Sequence, residues 1–196
     1  MNILVIKSSV FGDNGNSSSL VNSQLAALQA QHPDATVVVR DLSTDPIPHL
    51  DGERVGAFFT PADQRSDDQQ AVDAFSMALI DELKTADHIV LGLPMYNFGI
   101  PSQVKSWIDH VARAGITFRY TENGPQGLLD DKPVTVLAAR GGLYAGTEND
   151  TVTPYIKLFF GFIGMTDVNF VYAEGLNMGD ETKEKAMSEA QAALAG

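Results

Sequence analysis

The sequence predicts an α/β protein: a five-stranded parallel sheet with helices on both faces. Three observations carry this expectation. Short apolar runs at residues 3–6, 36–40, 88–93, 134–138 and 168–172 are rich in Val, Ile and Leu, as strands buried in a parallel sheet are. Between them, apolar residues recur every three or four positions, the spacing of one helix face. The two kinds of segment alternate along the chain, which makes consecutive strands parallel and joins them through helical crossovers.

Each element follows in turn. The strand at 3–6 leads into a polar Gly/Asn/Ser loop, 8–18. Leu20, Val21, Leu25, Ala27 and Leu28 then keep helical spacing up to Pro33. The second strand, 36–40, is followed by residues 41–66, where Pro46, Pro48, Gly52, Gly56 and Pro61 read as a long irregular connection. Val72, Phe75, Leu79 and Leu83 mark a helix over 69–85. The third strand, 88–93, is stopped by Pro94, and Pro101 suits the first turn of a helix running through Trp107 to Val111. Residues 118–120 form a short strand before a turn at 123–125. The fourth strand, 134–138, ends at Arg140-Gly141-Gly142, and a helix over 154–162 precedes the fifth strand, 168–172. An amphipathic helix over 181–194 closes the chain.

At 196 residues the expectation is one domain, 1–196. Two doubly wound architectures are common at this length. The dinucleotide-binding one shows G-x-G-x-x-G after its first strand, and the loop at 8–18 does not. The strand order 2-1-3-4-5 remains, with its ligand crevice beyond the carboxyl ends of strands one and three.

Composition narrows the function. Thirteen Lys and Arg stand against 25 Asp and Glu, a formal charge of −12. That balance argues against nucleic acid and anionic membrane surfaces, which select a positive face. It leaves room for an anionic cofactor held by backbone N–H groups. The absence of cysteine removes disulfides, thiolate metal sites and Cys nucleophiles. No apolar run approaches the ~18 residues of a membrane span, so a cytoplasmic protein is expected.

Three loops lie where a doubly wound sheet binds ligands: 8–18, 94–100 and 139–146. The first places Ser9, Gly15, Asn16 and Ser17 before a helix. Free N–H groups, hydroxyls and the helix dipole there suit a phosphate monoester, while Asn16, Ser17 or Ser18 as a plain helix cap explains them equally well. The second, Pro94-Met95-Tyr96-Asn97-Phe98-Gly99, holds two aromatics between prolines, suited to walling a flat ring or to covering the core. Asn97 both donates and accepts, as a ring edge of alternating N–H and C=O groups requires. The third, Ala139-Arg140-Gly141-Gly142, lets backbone N–H groups approach a ligand, though Gly-Gly also suits a simple turn.

Competing chemistry is missing. There is no H-E-x-x-H and no G-x-S-x-G. His32 and His49 sit beside prolines and are expected in solvent, and His88 starts a strand. His110, late in a helix, is expected to serve the helix dipole. Asp109 beside it faces elsewhere, since adjacent helical residues do not meet. Asp63, Asp67 and Asp68 read as a solvated helix start, and no metal site is expected.

The chain also resembles the FMN-dependent NADH-azoreductase and quinone-reductase family. The likeness is carried by Lys7-Ser8-Ser9, Pro46-Ile47-Pro48, Arg140-Gly141-Gly142, Thr153-Pro154-Tyr155 and above all PMYNFGIPSQVKSWIDHVARAGITFRYTENGPQGL, residues 94–128. The resemblance implies the three-layer flavodoxin-like fold, a homodimer and one FMN per subunit. It implies that Ser9, Gly15, Asn16 and Ser17 hold the phosphate. Met95, Tyr96, Asn97 and Phe98 would line the isoalloxazine, and Ala139, Arg140, Gly141 and Gly142 would close around its pyrimidine side. Tyr120 and Phe162 would sandwich an aromatic acceptor, partly across the dimer interface. The implied reaction is ping-pong transfer of two electrons from NADH, with NADPH left open, to quinones and azo compounds, the flavin doing the chemistry. A flavodoxin-type electron carrier is the alternative. Two departures stand out: Gly15 and Ala139 occupy positions where the family commonly has serine.

Overall fold

The computed structural model describes residues 1–194. In chain order its elements are β1 (Asn2–Lys7), α1 (Asn16–Gln31), β2 (Thr36–Asp41), α2 (Gly52–Phe59), α3 (Asp67–Thr85), β3 (His88–Pro94), α4 (Ser102–Val111), β4 (Phe118–Thr121), β5 (Gly124–Gly127), β6 (Val134–Ala139), α5 (Val152–Ile163), β7 (Val168–Ala173) and α6 (Asp180–Leu194). Five strands pair in parallel in the order β2-β1-β3-β6-β7, which is 2-1-3-4-5 among the core strands.

The central strands are apolar because both of their faces are covered. Along β1, Leu4 and Ile6 face one core with Leu91, Val136, Leu79, Leu83, Trp107 and Phe160. Ile3 and Val5 face the other with Val90, Leu137, Leu20, Val21 and Leu28. The alternation is the two-residue period of a strand, here filled on both sides. Each such side chain contributes about 1.5–3 kcal/mol on burial. Hydrogen bonding fixes the register, with Ile6 beside Leu91, Leu91 beside Val136 and Val136 beside Phe170. This alignment brings the ends of β1, β3 and β6 to one edge.

Local chemistry sets the helix ends. α3 opens with a reciprocal capping box between Ser66 and Gln69. Lys132 Nζ donates to the carbonyls of Leu83, Lys84 and Ala86 at its other end. α5 stops at Gly164, where φ is 111°.

Two expectations needed correction. The connection 41–66 contains α2, which Asp51 caps by accepting from Arg54 N at 2.9 Å. Arg65 Nε donates to the Ala57 and Thr60 carbonyls at its far end. Gly52 and Gly56 hid this helix, because its stability comes from packing on α3 and from those caps. Likewise the turn expected at 123–125 continues into β5, which pairs antiparallel with β4. Gly127 lies so close to Gly164 that a Cβ would stand 2.2 Å from its nitrogen. That approach, absent from any local pattern, holds the hairpin against α5.

Candidate functional site

At the carboxyl end of β1, Gly15 precedes α1 with extended backbone and no side chain caps the helix. The expected alternative of a side-chain cap is therefore not what the serines do. Ser18 Oγ donates to Gly12 O at 2.7 Å. Ser17 Oγ is buried and has no partner. Ser9 Oγ accepts from Phe11 N at 3.2 Å and lies 3.4 Å from the Tyr96 hydroxyl, which itself accepts from Val10 N. Gly15 makes this seat possible: a Cβ there would lie 2.1 Å from Ser9 Oγ. An uncapped helix N-terminus beside an unpartnered buried hydroxyl is suited to an anion.

Beyond β3, Tyr96 and Gly99 exchange backbone hydrogen bonds of 3.0 and 2.9 Å. They close a two-residue turn in which Asn97 and Phe98 both take the left-handed conformation, at φ 49° and 60°. Asn tolerates that region, whereas Phe is strained there by about 1 kcal/mol. The Phe98 carbonyl accepts from Thr151 Oγ1. Its ring meets Tyr144 edge-on, with centroids 5.6 Å apart.

Beyond β6, three successive carbonyls are tied to the turn after β7. Arg140 O accepts from Leu176 N, Gly141 O from Asn177 N and Gly142 O from Gly175 N, at 3.0–3.1 Å. In a trans peptide the C=O and the following N–H point in opposite directions. The N–H groups of Gly141, Gly142 and Leu143 therefore point away from that turn, and none donates within the described residues. A Cβ on Gly141 would lie 2.6 Å from Asn177 Nδ2, so the two residues pack closely at this edge.

The Arg140 side chain is fully buried. It pairs with Asp150 at 2.9 Å and Glu174 at 3.2 Å, donates to Thr153 Oγ1 and lies over the Tyr172 ring. Burial works to raise the Asp150 carboxyl, but the Thr153 N–H and the Arg140 guanidinium outweigh it and hold the group below its usual value. Arg140 Nε has no partner.

These loops enclose two joined clefts. The narrower, about 170 Å³, is lined by Ser9, Asn16, Ser17, Tyr96, Ala139 and Arg140, among others. The wider, about 410 Å³, is lined by Asn97, Phe98, Gly142 and Tyr144. Met95, Gly141 and Asn177 belong to both. The structure thus brings together every residue expected at a cofactor except Gly15, which lies behind Ser9. It does not bring Tyr120 or Phe162 to the clefts of their own chain. Both pack on Phe118, with ring centroids at 5.6 and 4.2 Å, and Tyr120 is 75% exposed. Sequence reasoning missed Tyr144, Asn177 and Leu176. The strand-end rule applied to β7, with Gly175 just beyond it, points to the last two.

The histidines lie elsewhere. The ring of His110 is fully buried between the edges of Phe58 and Phe75, its Nδ1 2.9 Å from Ser106 O. Burial lowers its pKa. It is a neutral core residue, so the expected dipole role is corrected. His49 is exposed and bonds Ser106 Oγ, while His88 bonds Thr135 Oγ1. Asp109 pairs with Lys105, not with its neighbour. Asp63, Asp67 and Asp68 are exposed, and among the described residues no group of three or more His, Asp and Glu is placed to hold a metal.

A family model described as a flavodoxin-like fold matches residues 1–196. The chain belongs to the flavodoxin-like fold family. Within this family it is 82% identical to an FMN-dependent NADH:quinone oxidoreductase of Alcanivorax borkumensis, over 99% of this chain and 98% of the relative. A Cellvibrio japonicus protein of the same name is 54% identical over 96% and 94%. The crystal structure of an FMN-dependent NADH-azoreductase from Bacillus anthracis, in complex with FMN, superposes with a TM-score of 0.88 at 27% identity, covering 99% and 97% of the two chains. The flavodoxin-like sheet thus carries its joined clefts at the strand-order reversal between β1 and β3, where ligands bind in this architecture.

Proposed function

We propose that this chain is an FMN-dependent oxidoreductase, moving two electrons from NADH to quinones and aromatic azo compounds by a ping-pong reaction. One observation carries the reading. A narrow cleft lined by Ser9, Asn16 and Ser17, whose buried hydroxyl has no partner, joins a wider cleft walled by Met95, Asn97, Phe98, Gly141, Gly142 and Tyr144. That shape and donor set match a phosphate monoester joined to a flat heterocycle, and the relatives' names specify FMN.

When bound, FMN supplies the hydride acceptor and donor, so no protein nucleophile is required. The chain's own groups bind and orient. Ser9, Asn16, Ser17 and the start of α1 hold the phosphate. Met95, Tyr96 and Phe98 give apolar wall, and the Asn97 amide, which both donates and accepts, would meet the ring edge. The free N–H groups of Gly141 and Gly142 would be available to the flavin's pyrimidine side, where such donors would stabilise negative charge. Ala139 contributes through its backbone, and the buried Arg140 side chain holds the loop's shape through Asp150, Glu174 and Thr153.

We assign the enzyme to the cytoplasm, where its nicotinamide donor is found, and to a homodimer. Exposed Phe59, Tyr120, Leu143 and Leu158 supply apolar surface for a second copy. In such a dimer Tyr120 and Phe162 reach the partner's wider cleft and cover the acceptor. No described helix is long and apolar enough to cross a membrane.

Anaerobic stopped-flow mixing of FMN-loaded protein with NADH tests the reading. The flavin absorbance should bleach within the turnover time and return when benzoquinone is added. A flavodoxin-type carrier would keep its colour with NADH, and that result would sink the enzyme assignment. Asn97→Ala should weaken FMN retention or alter its reduction, and unchanged flavin content and turnover would refute that role.

A further inference from the structure

Glu174, just beyond β7, touches neither cleft, yet one of its oxygens gathers three donors. Oε1 accepts from Tyr144 N and Ala145 N, each at 2.9 Å, and from the Arg140 guanidinium at 3.2 Å. Two consecutive N–H groups closing on one carboxylate form a small internal anion nest. The nest begins one residue after the last of the free N–H groups at Gly141, Gly142 and Leu143. The same strand end supplies Gly175, Leu176 and Asn177, whose N–H groups hold the carbonyls of residues 140–142. The loop is therefore gripped on both sides of its free donors: by the turn's backbone before and among them, and by Glu174 after them.

Glu174 also fixes Tyr144. That residue lines the wider cleft and meets Phe98 edge-on, so the carboxylate links the loop after β6 to the loop after β3. Its charge belongs to a buried set in which one guanidinium faces two carboxylates, Asp150 and Glu174. The set carries a net negative charge beside a cleft whose backbone donors invite a negative one. Charge alone would work against an electron-rich ligand there, so the grip on the loop is the use this geometry supports.

We infer that Glu174 is a positioning residue, which aims the N–H groups of Gly141 and Gly142 into the wider cleft. The inference rests on the FMN reading above. Two effects of its removal have opposite signs. Losing a nearby negative charge makes reduction of bound FMN easier and raises its midpoint potential. Misaiming donors that meet the negative charge of reduction makes it harder and lowers the potential.

The test measures FMN dissociation and midpoint potential in Glu174→Ala and Glu174→Gln. Gln keeps an oxygen that accepts from Tyr144 and Ala145 but lacks the charge. Glu174→Ala should lose about tenfold in FMN affinity, the scale of one charge-assisted hydrogen bond, and its potential should fall. Glu174→Gln should hold FMN nearly as the parent does, with its potential level or raised. Should the Ala variant not fold, Glu174→Asp, which keeps the charge and shortens the reach, should lower the potential in its place. A rise in both Glu174→Ala and Glu174→Gln shows a charge effect only and overturns the inference, as does a parental potential in both Ala and Asp. Hydrogen exchange at Tyr144 and Ala145 in the apoprotein separates the two readings. Protection that Glu174→Ala abolishes, in a parent protein that binds no FMN, would refute the FMN reading and not the grip.

Discussion

The loops after β1 and β6 lie on opposite sides of the same cleft and present polar groups in opposite ways. The first keeps a side chain in reserve: Ser17 Oγ is buried and unpartnered. The second ties its side chains to one another, Arg140 to Asp150, Glu174 and Thr153, and leaves backbone N–H groups free. A small hydroxyl beside a helix start can wait for an anion at little expense. A buried guanidinium cannot be left alone, because an unpaired buried charge is strongly destabilising. The first loop should therefore influence binding with little effect on the fold, and the second should influence the fold first.

Arg140→Met gives the largest expected effect. It strands the carboxylates of Asp150 and Glu174 and should destabilise the apoprotein by about 3–5 kcal/mol in urea unfolding. A loss below about 1 kcal/mol would break the comparison, since surface ion pairs cost that little.

Ser17→Ala comes next and should separate the two loops. The hydroxyl has no partner to lose, so apoprotein stability should stay within about 0.5 kcal/mol. FMN affinity should fall about tenfold, the value of a hydrogen bond to a charged group. A marked drop in melting temperature with unchanged FMN affinity would show that the serine serves the fold.

The smallest effect concerns pH and lies outside both loops. Burial lowers the pKa of His88 and His110. Neutral in the fold, these groups bind protons more readily when unfolded. Their contribution is therefore present above the unfolded value of about 6.5 and is lost as pH falls from there toward the lowered folded values. Stability should decline between pH 7 and 5, and His110→Gln should flatten that decline whatever it does to stability at pH 8. An unchanged slope would leave His88 or the carboxylates as its source.

Much of this was legible in the sequence because it was local or periodic. Apolar runs marked the five core strands, and alternation with helical spacing gave their parallel arrangement. Residues such as Ser17, Asn97 and Gly141 stood out because their types are unusual just after a buried strand. The failures share another cause. α2 depends on Asp51 and Arg65 at its two ends and on α3 beneath it, so its glycines misled. β5 is built from Gly-Pro-Gln-Gly and exists because Gly164 comes close enough to hold it. His110 reads as a late helix residue serving the dipole until Phe58 and Phe75 close over it.

By itself, then, the chain determined its class, its strand order and the three segments that meet at the crevice, since periodicity and strand-end position depend on near neighbours. Only the tertiary structure decided what each polar group does there. Arg140 reads as a ligand contact but bonds residues 10 to 34 positions away. Glu174 has no local signal, and acquires its place because β6 and β7 run side by side. A hydrogen bond is short-ranged, and a sequence does not say which distant donor will arrive within 3 Å.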